Sequence, residues 1–206
     1  TVQNKKRPYI ILKWAETKEG YIAPKFKEEQ KPIWISNSYS QQLVHKWRSE
    51  EHAILVGTNT VIADNPMLNV RSWSGQSPVR IVLDRTLRIP SDASVFDGTV
   101  KTIVIAACIK NTQEVGENIV LEEIDFSKNL GDEICTILQK HKIQSVIIEG
   151  GATTLQTFID EGLWDEARVF TGDVSLNSGV RAPRFSASVS TEMNIKNDVL
   201  KIYRND

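Results

Sequence analysis

Short runs of β-branched and other apolar residues alternate along this chain with segments in which apolar residues recur at helical spacing. The clearest strand-like runs are residues 9–15, 53–56 and 145–148, and each of the last two leads into a turn. Strands that alternate with helices predict a mainly parallel sheet, because parallel strands need a crossover between them. The sequence therefore predicts an α/β fold with helices on both faces of a central sheet.

Further elements follow the same two patterns. Strands are predicted at 79–83, 102–107 and 166–171, and helices at 39–51, 132–142 and 153–160. Ser38 and Gln41 have the spacing of a capping box at the start of the first helix. A shorter helix is expected to begin with Thr58 as its cap and to continue through Ile62.

The end of the chain has a different pattern. Residues 194–196 and 199–203 are joined by Asn197 and Asp198, which predicts an antiparallel hairpin at the edge of the sheet. No composition break or internal repeat divides the chain. We therefore expect a single domain over residues 8–206, preceded by a solvated basic lead-in or linker at residues 1–7.

Charge and hydropathy limit the partners of this 206-residue chain, which carries 25 Lys and Arg against 26 Asp and Glu. So small a net charge gives no general attraction to nucleic acid or to an anionic membrane, and an anionic ligand must be held by a local cluster. No stretch approaches the roughly 18 consecutive apolar residues of a transmembrane helix, and the N-terminus has no signal-peptide pattern. We expect a small-molecule partner and a cytoplasmic location.

Cysteine and histidine spacing argues against a metal site. Cys108 and Cys135 have no CxxC spacing and are expected to be buried, reduced thiols. His45 and His52 fit one helix face, but neither has an acidic or thiol neighbour at ligand spacing. The serine-hydrolase GxSxG, P-loop and zinc-deaminase motifs are also absent, so these three chemistries are disfavoured.

The strongest local signal is the Glu149-Gly150-Gly151 turn between a predicted strand and a predicted helix. Two glycines let the backbone approach a ligand, and the following helix offers free N–H groups and a positive dipole end to a phosphate. A tight turn without a ligand remains the alternative, since GxGxxG is absent. Glu149 lies where open α/β sheets bind ligands, although a carboxylate that emerges into solvent fits the same pattern.

Three basic residues are further candidates. Lys13 shares a strand face with Ile11 and Ala15, and it either reaches past the sheet edge or lies in a polar cleft. Arg48 and Arg71 are each typical of surface residues when taken singly. Two converging arginines would suit a phosphate, because guanidinium binds phosphate oxygens in a bidentate manner.

Five segments of this chain occur in the same order as the matching segments of one protein family. They are residues 7–15, 20–23, 34–36, 52–71 and 147–151. The longest of these segments includes HAILVGTNTVIADNP, and the last ends in Glu-Gly-Gly. Together they resemble the C-terminal reductase domain of the bacterial bifunctional deaminase/reductase of riboflavin biosynthesis. The resemblance implies a dihydrofolate-reductase-like fold, NADPH as cofactor, and a homodimer. It also implies reduction of the ribosyl group of 5-amino-6-(5-phosphoribosylamino)uracil to ribityl, and a zinc deaminase domain that is fused or separate.

The resemblance also implies site positions. The cofactor is expected near Ala15, Trp34, Ser36, Thr60, Asp64 and Arg85, and along Gly151, Ala152, Thr153, Thr154, Leu155, Gln156 and Thr157. The phosphorylated substrate is expected near Arg48, Leu68, Arg71 and Glu149. We interpret Lys13, Asp64 and Glu149 as catalytic residues that order the sugar hydroxyls and the proton. Arg48 and Arg71 are interpreted as the phosphate anchor, and Arg85 as a partner of the 2′-phosphate of NADPH.

Two alternatives stay open at the level of sequence. A related stand-alone reductase acts one step earlier, on the 2,5-diamino-6-ribosylamino-pyrimidinone phosphate, and the residues that contact the base are not evident. The second alternative is a dinucleotide-binding module without catalysis. Charges retained at Lys13, Asp64, Arg71 and Glu149 count against it, because burying charge is costly.

Overall fold

The computed structural model describes residues 5–27, 29–30, 32–109 and 116–205. Its strands, in chain order, are β1 (Tyr9–Thr17), β2 (Tyr21–Pro24), β3 (Ala53–Gly57), β4 (Val79–Leu83), β5 (Thr102–Ala106), β6 (Ile119–Glu123), β7 (Ser145–Glu149), β8 (Glu166–Gly172), β9 (Gly179–Arg181), β10 (Val189–Ile195) and β11 (Asp198–Arg204). The α-helices are α1 (Ser38–Glu50), α2 (Thr58–Asp64), α3 (Leu130–Lys140) and α4 (Ala152–Asp160). None of these helices is long and apolar enough to span a bilayer.

A nine-stranded sheet has the order β10-β11-β8-β1-β7-β3-β4-β5-β6, and β2 pairs with β9 separately. Strand β1 pairs in parallel with β7 and β8, and every pairing from β7 to β6 is parallel. Strand β11 pairs antiparallel with both β8 and β10. The predicted mainly parallel sheet with a C-terminal antiparallel hairpin is therefore confirmed.

Alternate residues of β1 face opposite sides of the sheet, as the sequence pattern predicts. Leu12 and Trp14 lie in the larger core cluster, with apolar residues of α3 and α4. Ile11 packs on the other face with Val44 of α1, and α2 covers that face farther along the sheet through Val61. Helices thus cover both faces of the sheet.

Helix α1 has a different N-cap from the one expected. The cap is Asn37, whose Oδ1 accepts the N–H groups of Tyr39 at 3.0 Å and Ser40 at 3.1 Å. The side chain of Gln41 donates to a backbone carbonyl upstream of the helix. The capping box that we predicted at Ser38 is wrong, because the amide side chain of the preceding residue already satisfies two free N–H groups.

The predicted cap of α2 is also wrong. Gly57 precedes the helix, and Thr58 Oγ1 instead donates to the Leu83 carbonyl at 2.7 Å, which links the helix to β4. The helix runs two residues past its predicted end. It stops where Asn65 adopts a left-handed conformation, with φ of 42° and its N–H bonded to the Val61 carbonyl.

Other differences lie at the periphery of the fold. Strands β2, β6 and β9 were not among the predicted elements. Cys108 is exposed, contrary to expectation, because it follows the end of β5, whereas Cys135 is buried and burial raises its pKa to about 12. Arg7 is buried and donates to Asp165 at 2.5 Å and 3.1 Å, so it is not solvated. Residues 1–4 of the predicted lead-in lie outside the described residues.

Candidate active site

The candidate site lies where the direction of the chain across the sheet reverses. From β3 the chain runs outward through β4, β5 and β6, returns in β7 between β1 and β3, and continues in β8 beyond β1. Open α/β sheets bind ligands at such a point, at the carboxyl ends of the strands. Glu149 ends β7 and Gly57 ends β3, so both lie at this edge.

Glu149 joins two basic side chains there. Arg48 donates from Nε to Oε1 at 3.1 Å and from Nη2 to Oε2 at 2.8 Å, as a bidentate pair. Lys13 is the register partner of Glu149 on β1, and its Nζ lies 3.8 Å from Oε2. The three side chains are only 10–14% exposed. The structure thus brings together two predicted catalytic residues and one predicted phosphate anchor.

Burial and charge shift the protonation of this network in opposite senses. Burial by itself raises the pKa of Glu149, but Arg48 and Lys13 together hold that pKa well below its usual range. Burial lowers the pKa of Lys13, Glu149 raises it, and Arg48 lowers it, with a net decrease. Glu149 is therefore held as a carboxylate, and Lys13 is a stronger proton donor than an exposed lysine.

The segment that follows α2 contacts this network through Asn69. Arg48 Nη1 donates to the Asn69 carbonyl at 3.3 Å, and Arg71 Nη1 donates to Asn69 Oδ1 at 2.9 Å. The backbone N–H of Arg71 donates to His45 Nδ1 at 3.2 Å. Arg48 is already hydrogen-bonded to Glu149 and Asn69, whereas Arg71 is exposed. Of the two predicted phosphate anchors, Arg71 is the accessible one.

Leu68 lies just behind this surface. Its side chain is 3% exposed and packs with Val61 and Val82 in the core. Its backbone has φ of 53°, which is an uncommon conformation for leucine. A substrate contact at this predicted position would therefore involve its backbone rather than its side chain.

A groove of ≈ 220 Å³ lies beside the start of α4. Its walls include the predicted cofactor residues Thr60, Arg85, Gly151, Thr153, Thr154 and Thr157. Arg85 is exposed, and its guanidinium lies 5.6 Å from the ring centre of Phe126. The predicted cofactor residues from three parts of the chain thus converge on one groove.

Glycines in this groove, Gly57 and Gly151, and the adjacent Gly150 let the backbone approach closely. Gly150 and Gly151 have φ of 106° and 78°. A Cβ at Gly150 would lie 3.0 Å from Thr60 Cγ2, and one at Gly57 would lie 2.7 Å from Thr154 Oγ1. Helix α4 begins at Ala152 with no side-chain cap, so its first N–H groups face no capping oxygen. This arrangement fits the phosphates of a dinucleotide.

Three further predicted cofactor positions lie outside the lining of this groove. Ala15 is half-buried on β1, Trp34 is 53% exposed, and Ser36 is buried just before α1. Asp64, at the end of α2, forms an ion pair with Lys27 of the loop before α1. This predicted catalytic carboxylate is thus contacted by a basic side chain, in a different place from the network around Glu149.

Two predicted cofactor residues of α4 do not present their side chains to the groove. Leu155 is fully buried in the core, because it lies on the apolar inner face of the amphipathic helix. Gln156 donates to Asp160 at 2.7 Å and to the Arg184 carbonyl at 3.0 Å. At these two predicted positions, a contact with the cofactor would therefore involve the backbone rather than the side chain.

The sequence-based list of site residues omits His45, Asn69 and Arg88. His45 and Arg48 are three positions apart, and helical spacing would have placed both on one side of α1. Arg88 lines the groove and donates to Asn59 Oδ1 at 3.2 Å. Nothing local signals Asn69, whose carbonyl is contacted by Arg48 of a distant helix. Within the described ranges, no group of three or more His, Cys, Asp or Glu side chains is placed to hold a metal.

Residues 8–186 match the family model of the RibD C-terminal domain. Riboflavin biosynthesis protein RibD of Aquifex aeolicus is 36% identical over 185 residues, which cover 87% of this chain and 50% of that protein. The 2,5-diamino-6-ribosylamino-4(3H)-pyrimidinone 5′-phosphate reductase of Archaeoglobus fulgidus is 28% identical over 181 residues, 82% of this chain and 81% of that protein. The chain thus spans about half the length of its RibD relatives.

Solved structures give the same assignment. The deaminase/5-amino-6-(5-phosphoribosylamino)uracil reductase of Thermotoga maritima has a TM-score of 0.86 and 27% identity, over 99% of this chain and 58% of that one. The riboflavin biosynthesis reductase Rib7 of Saccharomyces cerevisiae, with 21% identity and a TM-score of 0.75, shares the fold over 96% of this chain and 90% of its own. The expected dihydrofolate-reductase-like fold is confirmed, and the chain belongs to the RibD C-terminal domain family.

Proposed function

We propose that this chain is an NADPH-dependent reductase of riboflavin biosynthesis that converts the ribosyl group of 5-amino-6-(5-phosphoribosylamino)uracil to ribityl. The observation that carries the proposal is the buried network of Lys13, Glu149 and Arg48 at the same sheet edge as the glycine-lined groove. Desolvating three charges is costly, and apolar residues of similar volume would often serve stability as well. The network therefore favours a catalytic domain over a binding module without activity.

The groove would hold the cofactor. The N–H groups at the start of α4 and the hydroxyl of Thr60 would bind its phosphates. Arg85 lines the same groove, and its charge supports binding of the additional 2′-phosphate of NADPH. When bound, the nicotinamide supplies the hydride that C1′ of the opened sugar accepts.

The charged network would handle the substrate. Opening of the ribose ring breaks the C1′–O4′ bond, and O4′ must gain a proton. Lys13 would donate that proton, because its lowered pKa makes it a stronger acid than an exposed lysine. Glu149, fixed by Arg48, would accept hydrogen bonds from the sugar hydroxyls, and the exposed Arg71 would bind the ribose phosphate.

A second candidate substrate is the pyrimidinone before deamination. The similarity to the Archaeoglobus fulgidus reductase supports it, since that protein is named for this pyrimidinone and is 28% identical over 82% of this chain. Initial rates of NADPH oxidation with each pyrimidine, and with NADH in place of NADPH, separate the candidates. We expect the uracil and NADPH to give the highest rate. Absence of oxidation with both pyrimidines and both cofactors would overturn the proposal.

We also propose a cytoplasmic homodimer, with the zinc deaminase either fused or separate, on the basis of the family resemblance. Light scattering on the purified chain tests the dimer. We expect the mass of two chains, and the mass of one chain would contradict it.

A further inference from the structure

We propose that His45 is a positioning residue. It holds the segment at 65–78 so that Arg71 can bind the phosphate end of a phosphorylated sugar. His45 would act through the Arg71 backbone, without touching the substrate. The inference rests on the proposed function and assigns a role to a buried residue that the proposed reaction does not use. It concerns the contact that His45 of α1 makes with the segment after α2, which Arg48 of the same helix also contacts at Asn69.

The segment at 65–78 depends on side chains for its position. It contains neither helix nor strand, so no ladder of backbone hydrogen bonds fixes it. Helix α1 contacts it through Arg48, whose Nη1 donates to the Asn69 carbonyl at 3.3 Å, and through His45, whose Nδ1 accepts the Arg71 N–H at 3.2 Å. The His45 ring also forms a hydrogen bond with the Asn69 backbone. His45 is 5% exposed and therefore acts within the protein, not at its surface.

The contact requires an unprotonated Nδ1, and the surroundings of His45 maintain one. Burial lowers the pKa of His45 to about 4, with further lowering by Arg48 from its own helix and by Arg71, while Glu149 from β7 opposes the shift. The ring is therefore neutral near pH 7. A neutral acceptor fixes the backbone without adding a third positive charge between the two arginines.

Arg71 is therefore held at two points, one on its backbone and one on its guanidinium. His45 fixes the Arg71 backbone, and Asn69 Oδ1 accepts Arg71 Nη1 at 2.9 Å. Arg71 is nevertheless exposed, so its other donors remain accessible. Binding a phosphate to donors that are already ordered loses less conformational entropy, which favours affinity.

The experiment compares His45→Leu, which removes the acceptor, with His45→Asn, whose Oδ1 replaces Nδ1. Gln42→Ala, at an exposed position of the same helix, is the matched control. Calorimetry measures binding of ribose 5-phosphate, and steady-state kinetics uses the pyrimidine substrate with and without its phosphate. NADPH binding and thermal melting report whether each variant is folded.

We expect His45→Leu to weaken ribose 5-phosphate binding and to raise the KM of the phosphorylated substrate about tenfold, with a smaller change in kcat. His45→Asn should recover most of this loss, and Gln42→Ala should show none. The substrate without its phosphate should give the same KM with His45→Leu and with the unaltered chain.

Three outcomes would overturn the positioning role. They are unchanged binding of ribose 5-phosphate by His45→Leu, an equal loss with the substrate that lacks the phosphate, and no binding of ribose 5-phosphate by the unaltered chain. If the unaltered chain binds ribose 5-phosphate but reduces neither pyrimidine, the proposed function fails, and the calorimetric comparison alone decides the role of His45.

Discussion

Lys13 and Glu149 occupy paired positions on neighbouring parallel strands, and Lys13 Nζ lies 3.8 Å from Glu149 Oε2. Arg48 contacts the same carboxylate from a helix on one face of the sheet. The buried carboxylate of Glu149 therefore balances two buried positive charges. The three side chains come from three elements, β7, β1 and α1. Loss of the acid leaves both positive charges without their counter-charge, and this asymmetry gives two predictions.

Glu149→Gln should lower the free energy of unfolding by about 3 kcal/mol, because removing one partner of a buried ion pair leaves uncompensated charge. Urea denaturation measures the change. The same substitution at Glu192, whose side chain is 56% exposed and 3.6 Å from Lys201, is the control and should have no measurable effect. Equal effects of the two substitutions would show that the buried network adds nothing to stability.

Lys13→Met should lower kcat at least about 100-fold, since it removes the proposed proton donor. The melting temperature should change little, because methionine retains an unbranched apolar side chain and Glu149 keeps its pair with Arg48. Lys18→Met removes an exposed lysine that pairs with Asp173, and it should leave kcat unchanged. A kcat for Lys13→Met within twofold of the unaltered chain would exclude the proposed role.

Gly150→Ala should weaken NADPH binding and destabilise the fold, because residue 150 has φ of 106° and the added Cβ would lie 3.0 Å from Thr60. Gly162→Ala is the matched control, with φ of 66° and open space around its Cβ. It should carry only the backbone cost, about 1–2 kcal/mol, and bind NADPH normally. Fluorescence titration with NADPH makes the comparison, and equal affinities of the two variants would contradict a cofactor site in this groove.

Stability should depend on pH through His45. Its pKa is about 4 in the folded chain against an ordinary value of 6.5, so the unfolded chain binds more protons between these values. The stability that the neutral His45 contributes is complete above about pH 6.5 and is lost as the pH falls toward 4. Urea midpoints should fall as the pH is lowered from about 6.5 to about 4, and His45→Asn should remove the part of that fall that is due to His45. An identical pH dependence in both chains would contradict a buried neutral histidine.

Local periodicity predicts where Lys13 and Glu149 lie in the fold, for a physical reason. Strict alternation along β1 places Lys13 on the face of Ile11, opposite Leu12. The end of an apolar strand places Glu149 at the carboxyl edge of the sheet, where open α/β sheets bind ligands. Both statements depend only on local periodicity. The glycine turn before α4 is local as well, and its positive φ values agree with the residues that occupy it.

What the sequence pattern leaves out depends on contacts between distant segments. Arg48 and Glu149 are 101 positions apart, and only the packing of α1 on the sheet brings them together. The hydrogen-bond partner of His45 lies 26 positions away and cannot be predicted from local spacing. In the sequence, the spacing of His45 and His52 bears only on the question of a metal site. Competition between neighbouring side chains is also hard to resolve, as the capping of α1 by Asn37 in place of Ser38 shows.

The most direct measurement is the identity of the product. The chain is incubated with NADPH and 5-amino-6-(5-phosphoribosylamino)uracil, and the pyrimidine is recovered for mass spectrometry. A ribosyl group reduced to ribityl gains the mass of two hydrogen atoms, and one NADPH should be consumed for each molecule converted. Recovery of unaltered substrate from a folded chain that binds NADPH would contradict the account.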